Sequence, residues 1–213
     1  DFDFENLSPE NCPRISFLEL EIEKIPQKYL SYLESYFAIS GSSKTNFFSD
    51  ISNYVSYELG QPTHCFDRDK IREKLIFDRK ICNESFTTLF DTSIQLKGDN
   101  CIFLMGEEII SLAGVMGGKS TSCSKQTKRV LVECAYFDKE SIIGKSIKYN
   151  LTSDAAYKFE RGVDILSHEK VLRRFIKIVQ DHAKIKNLKI KTFEYKEPQS
   201  ISLPINISKI NNI

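Results

Sequence analysis

The sequence has no Cys-x-x-Cys pair, no glycine-rich nucleotide loop and no long apolar run, and each absence removes a class of function. The six cysteines, Cys12, Cys65, Cys82, Cys101, Cys123 and Cys134, are scattered along the chain. Their spacing argues against a zinc site. Most stand in apolar stretches, where Cys behaves as a small hydrophobe, so reduced core thiols are expected. Neither G-x-G-x-x-G nor G-x-x-x-x-G-K-[ST] occurs, so no nucleotide is expected to bind through such a loop. The longest apolar runs are short and end in polar residues, which excludes a membrane-spanning helix. Nothing resembles a secretion signal. The net charge is +1 with no strongly basic half, so electrostatics alone would not make a tight nucleic-acid binder.

What is present describes an ordinary globular protein. Its 213 residues are 41% hydrophobic and 28% charged, enough for one substantial core or two small intertwined ones. The chain starts at Asp1 without a Met and ends in a periodic segment, Asn206 to Ile213, that looks cut short; an excerpt of a longer protein is expected.

Residues 1–13 are polar and form a leading arm. Ile15 to Ile22 alternates apolar and acidic residues, the pattern of a half-exposed strand. Pro26 suits the first turn of a helix whose apolar face is Tyr29, Leu30, Leu33, Tyr36 and Phe37. A second helix has Ile51, Tyr54, Val55 and Leu59 on one face, with Ser49 or Asp50 as cap and Gly60 as its left-handed close. Pro62 then pushes Gln61 towards an extended conformation, so Asn53 on the helix and His64 beyond the turn can face one small space. Short strands follow at 74–78, 85–90, 94–97, 101–105 and 109–115, with Gly106-Glu-Glu108 as a hairpin connection. Arg129–Tyr136 is a further strand, Asp138 caps a helix to about Lys148, and Ser153 caps another from Asp154 to Arg161. A long amphipathic helix runs from Ile165 to about Ala183, and Leu188–Tyr195 is the last strand. The fold class is α/β (α+β), with mixed and antiparallel sheets, surrounding helices and two intertwined modules. Residues 1–197 make the domain; 198–213 are a linker and the start of another module.

Three stretches could carry chemistry. Ala113-Gly-Val-Met-Gly-Gly118 is either a tight turn or a loop whose backbone approaches a ligand. Glu133 interrupts an apolar strand; alternation turns it outward, or it faces a polar cavity, because a buried carboxylate without a partner costs several kcal/mol, roughly. Leu151 to Asp164 carries Ser153, Asp154, Ala155 and a Glu160-Arg161 pair, which as a surface ion pair would be worth little. His168 and His182, beside charged residues, are expected at the surface, as are Arg173, Arg174 and Lys177.

Four of these segments, in order, resemble the phenylalanyl-tRNA synthetase β-subunit family. They are Ser49–Val55 with Glu58-Leu-Gly-Gln-Pro62 and His64-x-Phe66-Asp67; Ala113–Gly118; Leu131-Val-Glu-Cys-Ala-Tyr-Phe137; and Ser153-Asp-Ala with Phe159-Glu-Arg-Gly-Val-Asp164. The resemblance covers about Cys12 to Asp164. It implies a cytoplasmic α₂β₂ ligase that joins phenylalanine to its tRNA with ATP and Mg²⁺ on the α subunit, no cofactor in this fragment, and an editing site here that hydrolyses mischarged tyrosine. By the same resemblance Glu133 binds the para-hydroxyl at the far end of a ring pocket. Gly117, Ser153 and Ala155 line that pocket, and Pro62, His64 and Asn53 stand at the ester, His64 and Asn53 as the catalytic pair. The unperturbed pKa of His64 permits a general base or a water-orienting group. Where the family carries Arg-x-x-Asn-Asn, this chain has Ser43-Lys44-Thr45-Asn46-Phe47. The alternative implied is a module of the same ligase that serves assembly and RNA placement without editing.

Overall fold

The computed structural model describes residues 2–197 and 202–210. The chain runs β1 (Phe4–Asn6), β2 (Arg14–Ile22), α1 (Ser31–Ser40), α2 (Phe47–Leu59), β3 (His64–Asp67), a 3₁₀ turn (Arg68–Lys70), β4 (Leu75–Thr87), β5 (Ser93–Met105), β6 (Glu108–Leu112), β7 (Met116–Gly117), β8 (Arg129–Tyr136), α3 (Lys139–Ile142), α4 (Lys145–Lys148), α5 (Asp154–Phe159), α6 (His168–His182), β9 (Ile185–Glu194) and α7 (Ile207–Ile210).

These strands make two sheets. One has the order β1-β4-β5-β6-β7, the other β3-β8-β2-β9. The first is antiparallel except for β1, which runs parallel to β4; the second is antiparallel throughout. Because the chain passes from one sheet to the other and back, two modules are interleaved, as the sequence pattern predicts for an α/β (α+β) fold.

Strands β2 and β8 of the four-stranded sheet are buried on both faces, and the edge strand β9 is largely exposed. Side chains alternate across a strand, so Ile15, Phe17, Leu131 and Ala135 pack with the five-stranded sheet. Leu18, Leu20, Ile22, Val130, Val132 and Cys134 pack on the other side, beneath α1, α2 and α6. Each of the fully buried large side chains contributes roughly 1.5–3 kcal/mol. The expectation of a half-exposed strand over Ile15–Ile22 is therefore corrected: Phe17, Leu18 and Leu20 are all fully buried. Only Glu19 and Glu21 reach the margin, where Arg68 and Arg129 pair with them.

Other elements shift too. The separate strands at 74–78 and 85–90 are one strand, β4, and those at 94–97 and 101–105 are one strand, β5; together they form a long hairpin in full register from Leu75↔Met105 to Thr87↔Ser93. The helix predicted from Asp138 to Lys148 is broken into α3 and α4 at Gly144, whose φ is +75°. Helix α1 begins at Ser31, beyond Pro26. His168 is buried rather than surface, with Nδ1 3.1 Å from Ser16 Oγ. His182 is half-buried and accepts a bond from the Leu30 amide through Nε2. Arg174 leaves the solvated face and ties α6 to α2 through Glu58. All six cysteines are free and, apart from half-buried Cys123, buried. Residues 198–201 and 211–213 of the expected linker and following module lie outside the described residues.

Candidate active site

The approach to the site is a sequence of local decisions. Asn46 caps α2 by accepting the Ser49 amide at 3.0 Å, so the helix begins three residues before Asp50. Asp50, expected as a cap, is instead a buried acceptor for Tyr29 Oη and for the amide and hydroxyl of Thr45. Gly60, at φ +75°, closes the helix and returns its amide to the Ser56 carbonyl. Gln61 is buried; its Nε2 donates to Ala135 O at 2.9 Å, and its Oε1 accepts from Ser167 Oγ. That amide pins the turn to β8 and α6, and Pro62 delivers the chain into β3.

The register of β3 on β8 then decides the site. His64 stands opposite Glu133, and Phe66 opposite Leu131. Directly opposed residues in an antiparallel pair share one face, with Cβ atoms about 4.5–5.5 Å apart. Both side chains therefore leave the four-stranded sheet on the side of the five-stranded one. The register thus turns His64 and Glu133 from adjoining strands towards the same space between the sheets.

The opposing wall comes from β7. A methyl group on Gly117 would lie 2.8 Å from His64 Nε2, so only glycine lets the imidazole sit there. His64 also meets Phe66 edge-on at 4.4 Å. Its Nε2 is buried and has no hydrogen-bond partner. Burial alone pushes its pKa down to about 4. Glu133 is 4% exposed. Its carboxyl hydrogen-bonds to nothing among the described residues, and burial raises its pKa to about 8. Near neutral pH both groups are mainly uncharged, so Glu133 can donate a proton in a hydrogen bond as well as accept one.

A cavity of about 440 Å³ opens between the sheets and is lined by Asn53, Pro62, His64, Gly117, Glu133, Ser153 and Ala155, together with further residues of α2, α5 and the β6–β7 turn. All seven residues singled out in the sequence thus meet at one space. Its size falls within the roughly 300–1,000 Å³ of small-molecule sites. Asn53 is exposed at the rim, Pro62 is buried, and Ala155 is half-buried. Ser153 is committed twice: its hydroxyl donates to Val115 O at 2.6 Å and accepts the Ala156 amide at 3.0 Å, capping α5. It shapes the wall and keeps no proton for a ligand. Lys44 is turned away, paired with Glu34 and 5.1 Å from the centre of the Tyr29 ring. Glu160 and Arg161 do not pair with each other; Glu160 accepts the Gly144 amide, and Arg161 stacks on Tyr157 at 3.5 Å. Leu89, Phe90 and Ser122 also line the cavity, which local sequence signals did not mark. Among the described residues no group of three or more His, Cys, Asp or Glu could hold a metal ion, and no helix is long and apolar enough to cross a membrane.

The B3/4 domain family model matches residues 18–184. The chain belongs to the B3/4 domain family. Relatives of this B3/4 domain include the phenylalanine--tRNA ligase beta subunit of Francisella tularensis, 37% identical over 144 residues, which is 68% of this chain and 18% of that protein. The beta subunit of Fusobacterium nucleatum is 32% identical over 203 residues, or 95% of this chain and 25% of the relative. That of Burkholderia lata is 31% identical over 206 residues, 97% of this chain and 26% of the relative. The B3/4 domain thus spans about a quarter or less of the curated relatives it matches. Among solved structures, an N-terminal fragment of the phenylalanyl-tRNA synthetase beta subunit from Pyrococcus horikoshii superposes with a TM-score of 0.52 at 10% identity. The match covers 99% of this chain and 58% of that one, and it shows a common fold.

Proposed function

We propose that this chain is the editing part of a phenylalanine–tRNA ligase β subunit, and that its cavity hydrolyses the ester of tyrosine wrongly joined to the phenylalanine tRNA. The observation that carries the reading is that Glu133 and His64, whose Nε2 is buried without a partner, stand on adjoining strands and line one amino-acid-sized cavity.

Phenylalanine and tyrosine differ by one hydroxyl. A synthetic pocket for the smaller ring rejects the larger one imperfectly, and a second pocket that hydrogen-bonds the hydroxyl sorts them. Glu133, protonated near neutral pH, can accept from or donate to a phenol. A phenylalanine ring would leave that carboxyl unmatched, at a cost of about 1–3 kcal/mol. Gly117 and Ala155 leave the ring its space. His64 is too weak a base at a pKa of about 4 to store a proton at pH 7, so it acts by accepting a hydrogen bond through Nε2 and orienting water toward the ester. Asn53, exposed and lining the cavity, holds the ester end in this reading. The parent enzyme is a cytoplasmic α₂β₂ ligase, and ATP and Mg²⁺ serve its charging reaction on the α subunit. Ser43 in place of the family's Arg favours one rival: a module that keeps the fold for assembly and RNA placement but does not hydrolyse.

The reading is tested by deacylation of Tyr-tRNA and Phe-tRNA by the intact ligase. His64→Ala should slow release of tyrosine by about 10- to 100-fold. Glu133→Ala should erase most of the preference for tyrosine over phenylalanine. Wild-type rates no faster than uncatalysed hydrolysis would leave the assembly module standing.

A further inference from the structure

We propose that Lys158 is a positioning residue that fixes the aperture of this cavity by holding α2 against α5; the role rests on the hydrolytic reading above. Its ammonium donates to the Ser56 carbonyl at 3.0 Å, to Ser56 Oγ at 2.8 Å and to Asp154 Oδ2 at 2.7 Å. Ser56 and Asp154 are both cavity residues on different walls. Three donors of one –NH₃⁺ are thus spent across the opening, which uses the full donor capacity of lysine. The Lys158 side chain is only 22% exposed.

The arrangement has a reason beyond a surface ion pair. The last turn of α2 contains no basic residue of its own. Its terminal carbonyls carry the negative end of the helix dipole, which favours a nearby cation. The Ser56 carbonyl already accepts the Gly60 amide, and Lys158 occupies its second lone pair from the neighbouring helix. The Lys158–Asp154 pair, one turn apart on α5, would by itself hold little; the link to Ser56 joins the two walls.

On its other side α5 is fixed independently, by Ser153 to Val115 O and by Phe159 against Phe137 at 5.0 Å. Cutting the Lys158 link therefore leaves α5 attached to the β6–β7 wall and loosens it from α2. The gap that opens is the one between Asn53 and Ala155. A wider gap weakens the hold on the ring and leaves the groups at the ester in place, so half-saturation rises more than the maximal rate falls.

The test compares wild type, Lys158→Met and Lys158→Arg in the intact ligase, by single-turnover deacylation of Tyr-tRNA over a range of enzyme concentrations. Amide hydrogen exchange over residues 154–159 is followed in parallel. Lys158→Met should raise the half-saturating concentration about tenfold, change the maximal rate less than about twofold and speed exchange in α5. Lys158→Arg, which keeps a cation and its donors, should restore both. Unchanged half-saturation in Lys158→Met, or a Lys158→Arg enzyme as impaired as Lys158→Met, overturns the proposal. If wild type itself fails to deacylate, the hydrolytic reading falls, and exchange across α5 decides the clamp: no change in Lys158→Met overturns it.

Discussion

Two buried titratable side chains carry most of the chemistry, and each makes stability depend on pH in its own direction. The Glu133 carboxyl is raised from 4.5 to about 8, so the folded protein holds its proton more tightly than the unfolded chain. That contribution is complete below about pH 4.5 and lost as pH rises towards 8. Glu133→Gln should therefore be more stable than wild type at pH 9, by at most about 5 kcal/mol, with the difference vanishing near pH 4. Denaturant unfolding across that range checks it. His64 and His168 are lowered from 6.5 to about 4, which makes the unfolded chain the better proton acceptor. Their contribution is present above pH 6.5 and lost as pH falls towards 4. Gly117 is the third decisive residue. Gly117→Ala would drive a methyl into the His64 ring and should cost about 1–3 kcal/mol, read as a fall in the unfolding midpoint.

At the scale of the element, α2 and the turn that follows it do the positioning. Asn46→Ala removes the helix cap and should destabilise the domain by about 1 kcal/mol, measurable by thermal unfolding. This element also shows what could be read in advance. Gly60, Pro62 and the apolar face of Ile51 and Val55 announced a helix with a sharp exit, and the structure has it. The start was misplaced because Ser49 and Asp50 are equally good caps by type. Only tertiary structure reveals that Phe47 and Phe48 are already helical and buried. The β4–β5 hairpin was legible only in pieces, since its middle carries exposed Arg79, Lys97 and Asp99, which break the apolar alternation. Pairing along the whole hairpin, not burial, keeps those residues extended. His168 misled because its neighbours are charged; the buried partner of its Nδ1, Ser16, is 152 residues away.

For the molecule as a whole, the four-stranded sheet is the common wall of two cores. Phe17 sits in that wall opposite Glu133, in contact with Phe4 at 4.9 Å and Phe2 at 5.0 Å. Phe17→Ala should cost about 3–5 kcal/mol in urea unfolding. The seven site residues were legible as separate motifs, but nothing local in the sequence said that β3 would lie beside β8. That pairing turns His64 and Glu133 to one face of the sheet, and Gly117 of β7 packs against the imidazole. The most direct measurement is deacylation of Tyr-tRNA by the intact ligase with Ala155→Trp, which puts a large ring into the cavity and keeps Glu133 and His64 in the sequence. Wild type should release tyrosine and the variant should do so at least about tenfold more slowly, with charging of phenylalanine unchanged. Equal release by both enzymes would contradict the account.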